Sequence, residues 1–226
     1  MVSGRTALGR EFFERYLVEN LVHRPLRPPW RQDNGRVNDD RNQARMPFLP
    51  TVIILAAGRG ERFRAASGGL DKLQAPLQGR AVRDWVLAAV QHSGLPWHVV
   101  ERSHTAGLAL PGMGDSIACG VAATAQAQGW LVLPADLPLI QPGTLLQVAQ
   151  ALQAHAGVVP TWQGERGHPV GFAASCRDAL LALTGDSGAR TVVQRYSAHL
   201  LPVDDAGCVH DVDTPQALEE ARRRLA

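Results

Sequence analysis

Lysine is nearly missing from this chain. Of its 23 basic residues, 22 are arginine, and Lys72 stands alone among 226 residues. The arginine bias is what codon usage produces, so a single retained lysine marks a position that wants a compact ammonium on a flexible stem. Cysteine is scarce as well. Cys119, Cys176 and Cys208 are scattered without paired spacing, which argues against a disulfide framework and against a zinc site. The compartment that this implies is reducing and cytoplasmic. No apolar run approaches the ~20 residues of a membrane span, and the first fifteen residues are charged where a signal peptide would be apolar. The glycine loop at 58–63, Gly-Arg-Gly-Glu-Arg-Phe, lacks the last glycine of a dinucleotide fingerprint. No acid follows at the ~20-residue distance that NAD binding wants, and the Gly-Lys-Ser/Thr ending of a P-loop is absent. No Ser/His/Asp or Cys/His arrangement has suggestive spacing, so nucleophilic catalysis has no candidate.

What charge there is sits unevenly. Residues 1–45 hold nine Arg against six acids, and residues 46–226 hold fourteen Lys and Arg against fifteen acids. The basic excess belongs to the N-terminal segment, and a near-neutral remainder argues against nucleic-acid binding, which wants a basic face on the folded domain. Within 1–45, Leu8, Phe12, Phe13, Tyr16, Leu17 and Leu21 make a rough helical stripe. The stretch 23–45, rich in Pro, Arg, Asn and Asp, reads as disordered. The expected organisation is a flexible extension over 1–45 and one functional domain over 46–226.

From Met46 onward strand and helix patterns alternate. Apolar strands are expected at 52–55, 97–100, 130–133, 157–160, 168–173 and 199–203, with a last extended piece at 209–213. Helical stripes are expected at 80–92, 115–128, 142–155, 175–183, 189–196 and 215–225, with Asp115 and Thr214 as N-caps. Residues 64–71 look like a mobile connector, 107–114 like a glycine-rich loop, and 163–167 like a turn. Such alternation predicts an α/β fold with a mostly parallel sheet covered on both faces.

Three chemistry-bearing features fall at strand ends, where an open α/β sheet binds ligands. The first is the loop Ala56, Ala57, Gly58, Arg59, Gly60 after Leu55. Its small residues let backbone N–H groups approach an anion, or else form a plain strand-to-helix turn. The second is Asp136, flanked by Pro134 and Pro138 after an all-apolar strand. The third is the pair Asp211 and Asp213, on the same side of an extended chain. With Arg62 and Lys72, these carboxylates suit a nucleoside triphosphate and Mg²⁺, which prefers carboxylate and phosphate oxygens. Arg62 and Lys72 would offset the charge on a leaving pyrophosphate. His168, a lone histidine before Pro169, is either structural or a substrate contact. Asp186 and Arg190 bracket either an oxyanion-binding loop on the acceptor side or an ordinary cap.

Six stretches taken in order resemble the nucleotidyltransferases of the MobA-like superfamily, most closely the molybdenum cofactor cytidylyltransferase branch. They are Leu55-Ala-Ala-Gly-Arg-Gly-Glu-Arg-Phe63 with Lys72, Gly112-Met-Gly-Asp-Ser-Ile117, and Leu133-Pro-Ala-Asp-Leu-Pro138. Arg166-Gly-His-Pro-Val170, Gly185-Asp-Ser-Gly-Ala-Arg190 and Asp211-Val-Asp-Thr-Pro215 complete the set. The resemblance implies the Rossmann-like three-layer fold of nucleotide-diphospho-sugar transferases. It implies transfer of a nucleotidyl group to a phosphate monoester with release of pyrophosphate. The first motif would grip the triphosphate together with Gly112 and Ser116, Asp136 would hold Mg²⁺, and His168, Asp186 and Arg190 would face the acceptor. Leu55-Ala-Ala-Gly58 is similar to the cytidylyl type, where guanylyl relatives carry Leu-Ala-Gly-Gly, and Asp211 and Asp213 stand where that branch often has asparagines. The connector before Lys72 is longer than in the family, and Gly114-Asp115 replaces a common Ser-Ser. The expected partners are CTP and a molybdopterin-type acceptor, with a recipient molybdoenzyme of the xanthine dehydrogenase type. GTP or a sugar or polyol phosphate as substrate, and a non-catalytic delivery role, stay open.

Overall fold

A computed structural model of the chain describes residues 48–107 and 111–225. The stripe at 8–21, the stretch 23–45 and residues 108–110 of the expected glycine-rich loop lie outside the described residues.

The β-branched run after Thr51 forms strand β1 (Thr51–Leu55). An extended backbone sends successive side chains to opposite faces. Val52 and Ile54 therefore enter one core, and Ile53 enters the other. The chain continues through α1 (Glu61–Ala66), one 3₁₀ turn (Lys72–Gln74), a hairpin of β2 (Pro76–Leu77) and β3 (Arg80–Ala81), and α2 (Val82–Ser93). Then come β4 (Trp97–Val100), α3 (Met113–Ala123), β5 (Gly129–Pro134), α4 (Pro142–Ala151), β6 (Gly157–Trp162), β7 (Glu165–Arg166) and β8 (Val170–Ala173). Helices α5 (Arg177–Leu181) and α6 (Arg190–Arg195), strand β9 (His199–Pro202) and helix α7 (Pro215–Arg224) complete the order.

β1 is paired in parallel with β4 on one side and β5 on the other, with Leu55 opposite both Val100 and Pro134. This register brings three strand ends to one level and defines the carboxyl edge. Beyond β5 lie β8 and β6, both of those pairings antiparallel, and β9 runs parallel to β6 on its far side. The sheet is thus mostly parallel but mixed. Helices α2 and α4 cover one face through Val86, Val90, Leu145 and Val148. Helices α3, α5 and α6 cover the other through Ile117, Val121, Leu180 and Val192, packed on Trp130 and Phe172. A third, smaller core of Phe63, Leu77, Val82, Val212 and Leu218 ties α1, the β2–β3 hairpin and α7 together. Among the described residues, no helix is long and apolar enough to cross a membrane.

Several expectations need correction. The first three residues of the expected connector, Arg64 to Ala66, belong to helix α1, because Phe63 is buried in the small core and the turn follows it. Residues 209–213 form no strand and are held instead by single contacts, among them the Val212 N–H donating to the Asp136 carbonyl at 2.8 Å. Asp115 is the third residue of α3, and Gly112 is its N-cap. The turn at 163–167 is tighter than expected. Gln163 and Gly164 have φ of 50° and 85°, and Glu165–Arg166 pairs straight back on β6.

Candidate active site

The carboxyl edge of β1, β4 and β5 opens into a cleft of about 700 Å³. Its floor is set by the loop after β1. Gly60 has φ of 60°, a left-handed conformation that favours glycine, and a Cβ there would sit 3.2 Å from Lys72 Cγ. Gly58, in contrast, has open space around it, so a side chain there would project from the loop instead of straining it. Arg102, just past β4, braces this loop. Its Nη2 donates to the Gly58 carbonyl at 2.8 Å and to Asp71 Oδ2 at 3.3 Å. Asp71 in turn caps the short turn that carries Lys72, accepting from the Leu73 N–H at 3.0 Å. Leu73 is buried in the main core and anchors that turn.

Lys72 projects into a group of carboxylates. Its Nζ donates to Asp136 Oδ2 and, at 2.5 Å, to Asp213 Oδ1. Burial opposes the ammonium's charge. The Asp136 carboxylate and the hydrogen bonds to Asp136 and Asp213 outweigh that cost, so Lys72 holds its proton more firmly than a free lysine does. Asp136 follows β5 between buried Ala135 and Leu137 and is itself only 9% exposed. Its second oxygen, Oδ1, is buried without a hydrogen-bond partner. Val212 is buried between Asp211 and Asp213, and one oxygen from each of Asp136, Asp211 and Asp213 lies within 4.8 Å of the others. Partial burial, then Asp213 and Asp136, push the Asp211 carboxyl above the usual carboxylate range. A set of hard oxygen donors with an unsatisfied buried oxygen fits a divalent cation such as Mg²⁺ or Mn²⁺.

The cleft's far wall is the start of α3 packed on the loop before α6. Gly112, Met113 and Ser116 line it, with Asp186 opposite. The two segments cross so closely that a Cβ on Gly112 would fall 2.2 Å from the Gly185 carbonyl carbon. One oxygen of Asp115, Oδ2, accepts from both the Gly112 N–H (2.8 Å) and the Gly185 N–H (2.9 Å) and so staples the crossing.

The sequence model described as MobA-like NTP transferase domain matches residues 52–200. This chain belongs to that family. Purine catabolism protein PucB of Bacillus subtilis (strain 168) is 28% identical over 211 residues, spanning 80% of this chain and 100% of the relative. The bifunctional enzyme IspD/IspF of Ruegeria pomeroyi is 32% identical over an alignment of 193 residues that covers 74% of this chain and 48% of that enzyme. Among solved structures, Rv0371c from Mycobacterium tuberculosis matches with a TM-score of 0.65 at 25% identity, over 77% of this chain and 98% of that one. A manganese complex of Rv0371c matches with a TM-score of 0.61 at 23% identity, with the same coverage.

Within this MobA-like domain, the fold brings Leu55, Ala57, Gly58, Arg59, Gly60 and Arg62 to one cleft with Lys72, Asp136 and Asp213. Arg62 lies 3.7 Å from Asp213 Oδ2 but is 87% exposed, so the pair adds little to stability and leaves the guanidinium free for a phosphate. Arg59 pairs with Glu61 at 3.8 Å, also in solvent. Ala56 does not reach the cleft; it packs on the core, and its N–H donates to the Val100 carbonyl. Asp211 is exposed and does not line the cleft, although one of its oxygens lies within 4.8 Å of the other two carboxylates. His168 and Arg190 are not brought to the cleft. The His168 N–H donates to the Cys208 carbonyl, its Nδ1 is buried without a partner, and burial holds its imidazole below the usual histidine range against the pull of Asp136. Arg190 begins α6 at the surface. Sequence reasoning missed Arg102 as a cleft residue, although an arginine two positions past the end of an expected strand was a signal that could have found it.

Proposed function

We propose that this protein transfers a cytidylyl group from CTP to the phosphate of a molybdenum–molybdopterin acceptor and releases pyrophosphate. The observation that carries the reading is Lys72 set between Asp136 and Asp213 at the base of a cleft framed by the 57–60 loop. A cationic side chain, a glycine loop and a carboxylate triad on one sheet edge are the parts that nucleotidyl transfer needs. Membership of an NTP transferase family supports the reaction class.

The chain's residues divide the work. Backbone N–H groups of the 57–60 loop and the Arg62 guanidinium hold the triphosphate. Lys72 offsets the charge that builds on the leaving pyrophosphate. Asp136, Asp211 and Asp213 would hold the divalent cation, which supplies charge shielding at the α-phosphate when bound. The manganese complex of Rv0371c supports a metal at such a site. The acceptor phosphate attacks in line, and no covalent protein intermediate is required. The far wall from Gly112 to Ser116 holds the nucleoside side of the cleft, and Asp186 opposite it faces the acceptor. Leu55-Ala-Ala-Gly58 supports cytosine over guanine. The relative PucB is a purine catabolism protein, and xanthine is a purine, which supports a recipient of the xanthine dehydrogenase type.

The test is pyrophosphate release from each of the four NTPs, with and without molybdopterin. Release should require the acceptor and should be at least about tenfold faster with CTP than with GTP. A preference for GTP would overturn the base assignment. Absence of release with every NTP would favour a protein that delivers the cofactor without modifying it.

A further inference from the structure

Lys72 touches two of the three carboxylates that fit a divalent cation, and it does so from inside the phosphate loop. Its Nζ lies on Asp136 Oδ2 and Asp213 Oδ1, and its stem runs past Gly60, where a Cβ would sit 3.2 Å from Lys72 Cγ. The turn that carries it is tied to Gly58 through Asp71 and Arg102. One oxygen of Asp136, a residue only 9% exposed, has no partner even with Lys72 in place. The group formed by Asp136, Asp211, Asp213 and Lys72 carries a formal net charge of −2, and the ammonium sits on two of the three carboxylates that would hold a cation.

We propose that Lys72 is a place-holding cation: in the nucleotide-free protein it occupies the divalent-ion position, so the carboxylates take a metal only when a triphosphate draws Lys72 away. This rests on the site assignment above and adds an order to it, with metal and nucleotide binding as a coupled pair. Two consequences follow from electrostatics alone. The ammonium offsets part of the carboxylate charge without an ion, which lessens the repulsion among three neighbouring acids. A free divalent ion must compete with a tethered ammonium, so the protein binds it weakly without nucleotide.

The probe is Mn²⁺ alone, titrated by electron paramagnetic resonance of the free ion at constant ionic strength, with the full chain. Lys72→Met should bind Mn²⁺ about tenfold or more tightly than wild type. That is the scale of effect expected on removing one unit charge a few ångströms from a divalent ion. Lys72→Arg, which keeps the charge, should stay within about threefold of wild type. The double variant Lys72→Met with Asp136→Asn should lose the gain. Unchanged or weaker Mn²⁺ binding by Lys72→Met overturns the proposal. So does an equal gain in Lys72→Arg, because charge would then not be the cause. A gain that survives Asp136→Asn places the ion elsewhere and overturns it too. If Lys72→Met unfolds without metal, its thermal midpoint should rise with Mn²⁺ more than that of wild type, and an equal or smaller rise counts against the idea. None of these readouts uses pyrophosphate release. A chain that fails to react with CTP but shows the Mn²⁺ pattern keeps this inference and loses the proposed function, and the reverse holds as well.

Discussion

Asp136 and Lys72 were legible as single residues for opposite reasons. Asp136 stands between two prolines at the end of an apolar strand, where a carboxylate is either a turn or cap residue or a functional one. Lys72 is the only lysine in a chain that otherwise uses arginine. Their contact could not be read, since 64 positions separate them. If Lys72 serves the leaving pyrophosphate and Asp136 the cation, Lys72→Ala and Asp136→Ala should each lower the rate of pyrophosphate release by on the order of 10²–10³. Circular dichroism should show both variants folded, because neither residue fills a core. A variant that keeps near-full activity would remove that residue from the site. His168 teaches the reverse lesson. A histidine in a family-like motif reads as either structural or a substrate contact, and the fold buries its ring nitrogen away from the cleft lining.

At the scale of elements, the cleft depends on one crossing. The start of α3 and the loop 184–188 meet at Gly112 and Gly185, held by a single carboxylate oxygen of Asp115. Local sequence made Asp115 a helix cap. Its second partner lies 70 residues away, so no local pattern could report it. Asp115→Ala leaves two backbone N–H groups without their acceptor and should cost about 1–3 kcal/mol of stability in a denaturant titration. It should also raise the KM for nucleotide more than it lowers kcat, since Gly112 and Ser116 would lose their position against Asp186. Asp115→Asn keeps an oxygen in place and should restore most of both. Equal kcat and KM losses, or no rescue by Asn, would sink the positioning role. Helix α1 shows the same dependence on distant partners. Residues 64–66 read as a connector because a six-residue helix carries little pattern, and burial of Phe63 beside Val212 and Leu218 decides its conformation.

The molecule as a whole is two cores on either face of a mixed sheet, with a small third core beside the cleft. Its stability should respond to acid through His98 on the edge strand β4. Burial first, and then the neighbouring His104 ring 5.9 Å away, hold the His98 imidazole below its ordinary range. The unfolded chain therefore binds more protons than the folded one near pH 6.5 and below. This contribution is present above that pH and lost as pH falls through and below it. The thermal midpoint should drop between pH 7.5 and pH 5.5, and His98→Gln should make that drop smaller. An unchanged drop would assign the acid sensitivity to other groups. Strand ends, the glycine loop, the lone lysine and the α/β class followed from the sequence by itself, because hydrophobic periodicity and strand-end chemistry are local properties. The antiparallel insertion of β8, the Arg102 brace, the Asp115 staple and the meeting of Lys72 with Asp136 and Asp213 were decided only by the tertiary structure. An alternating strand pattern is the same in either direction. Which side chains share a sheet edge depends on strand order, and the burial of whole faces sets that order.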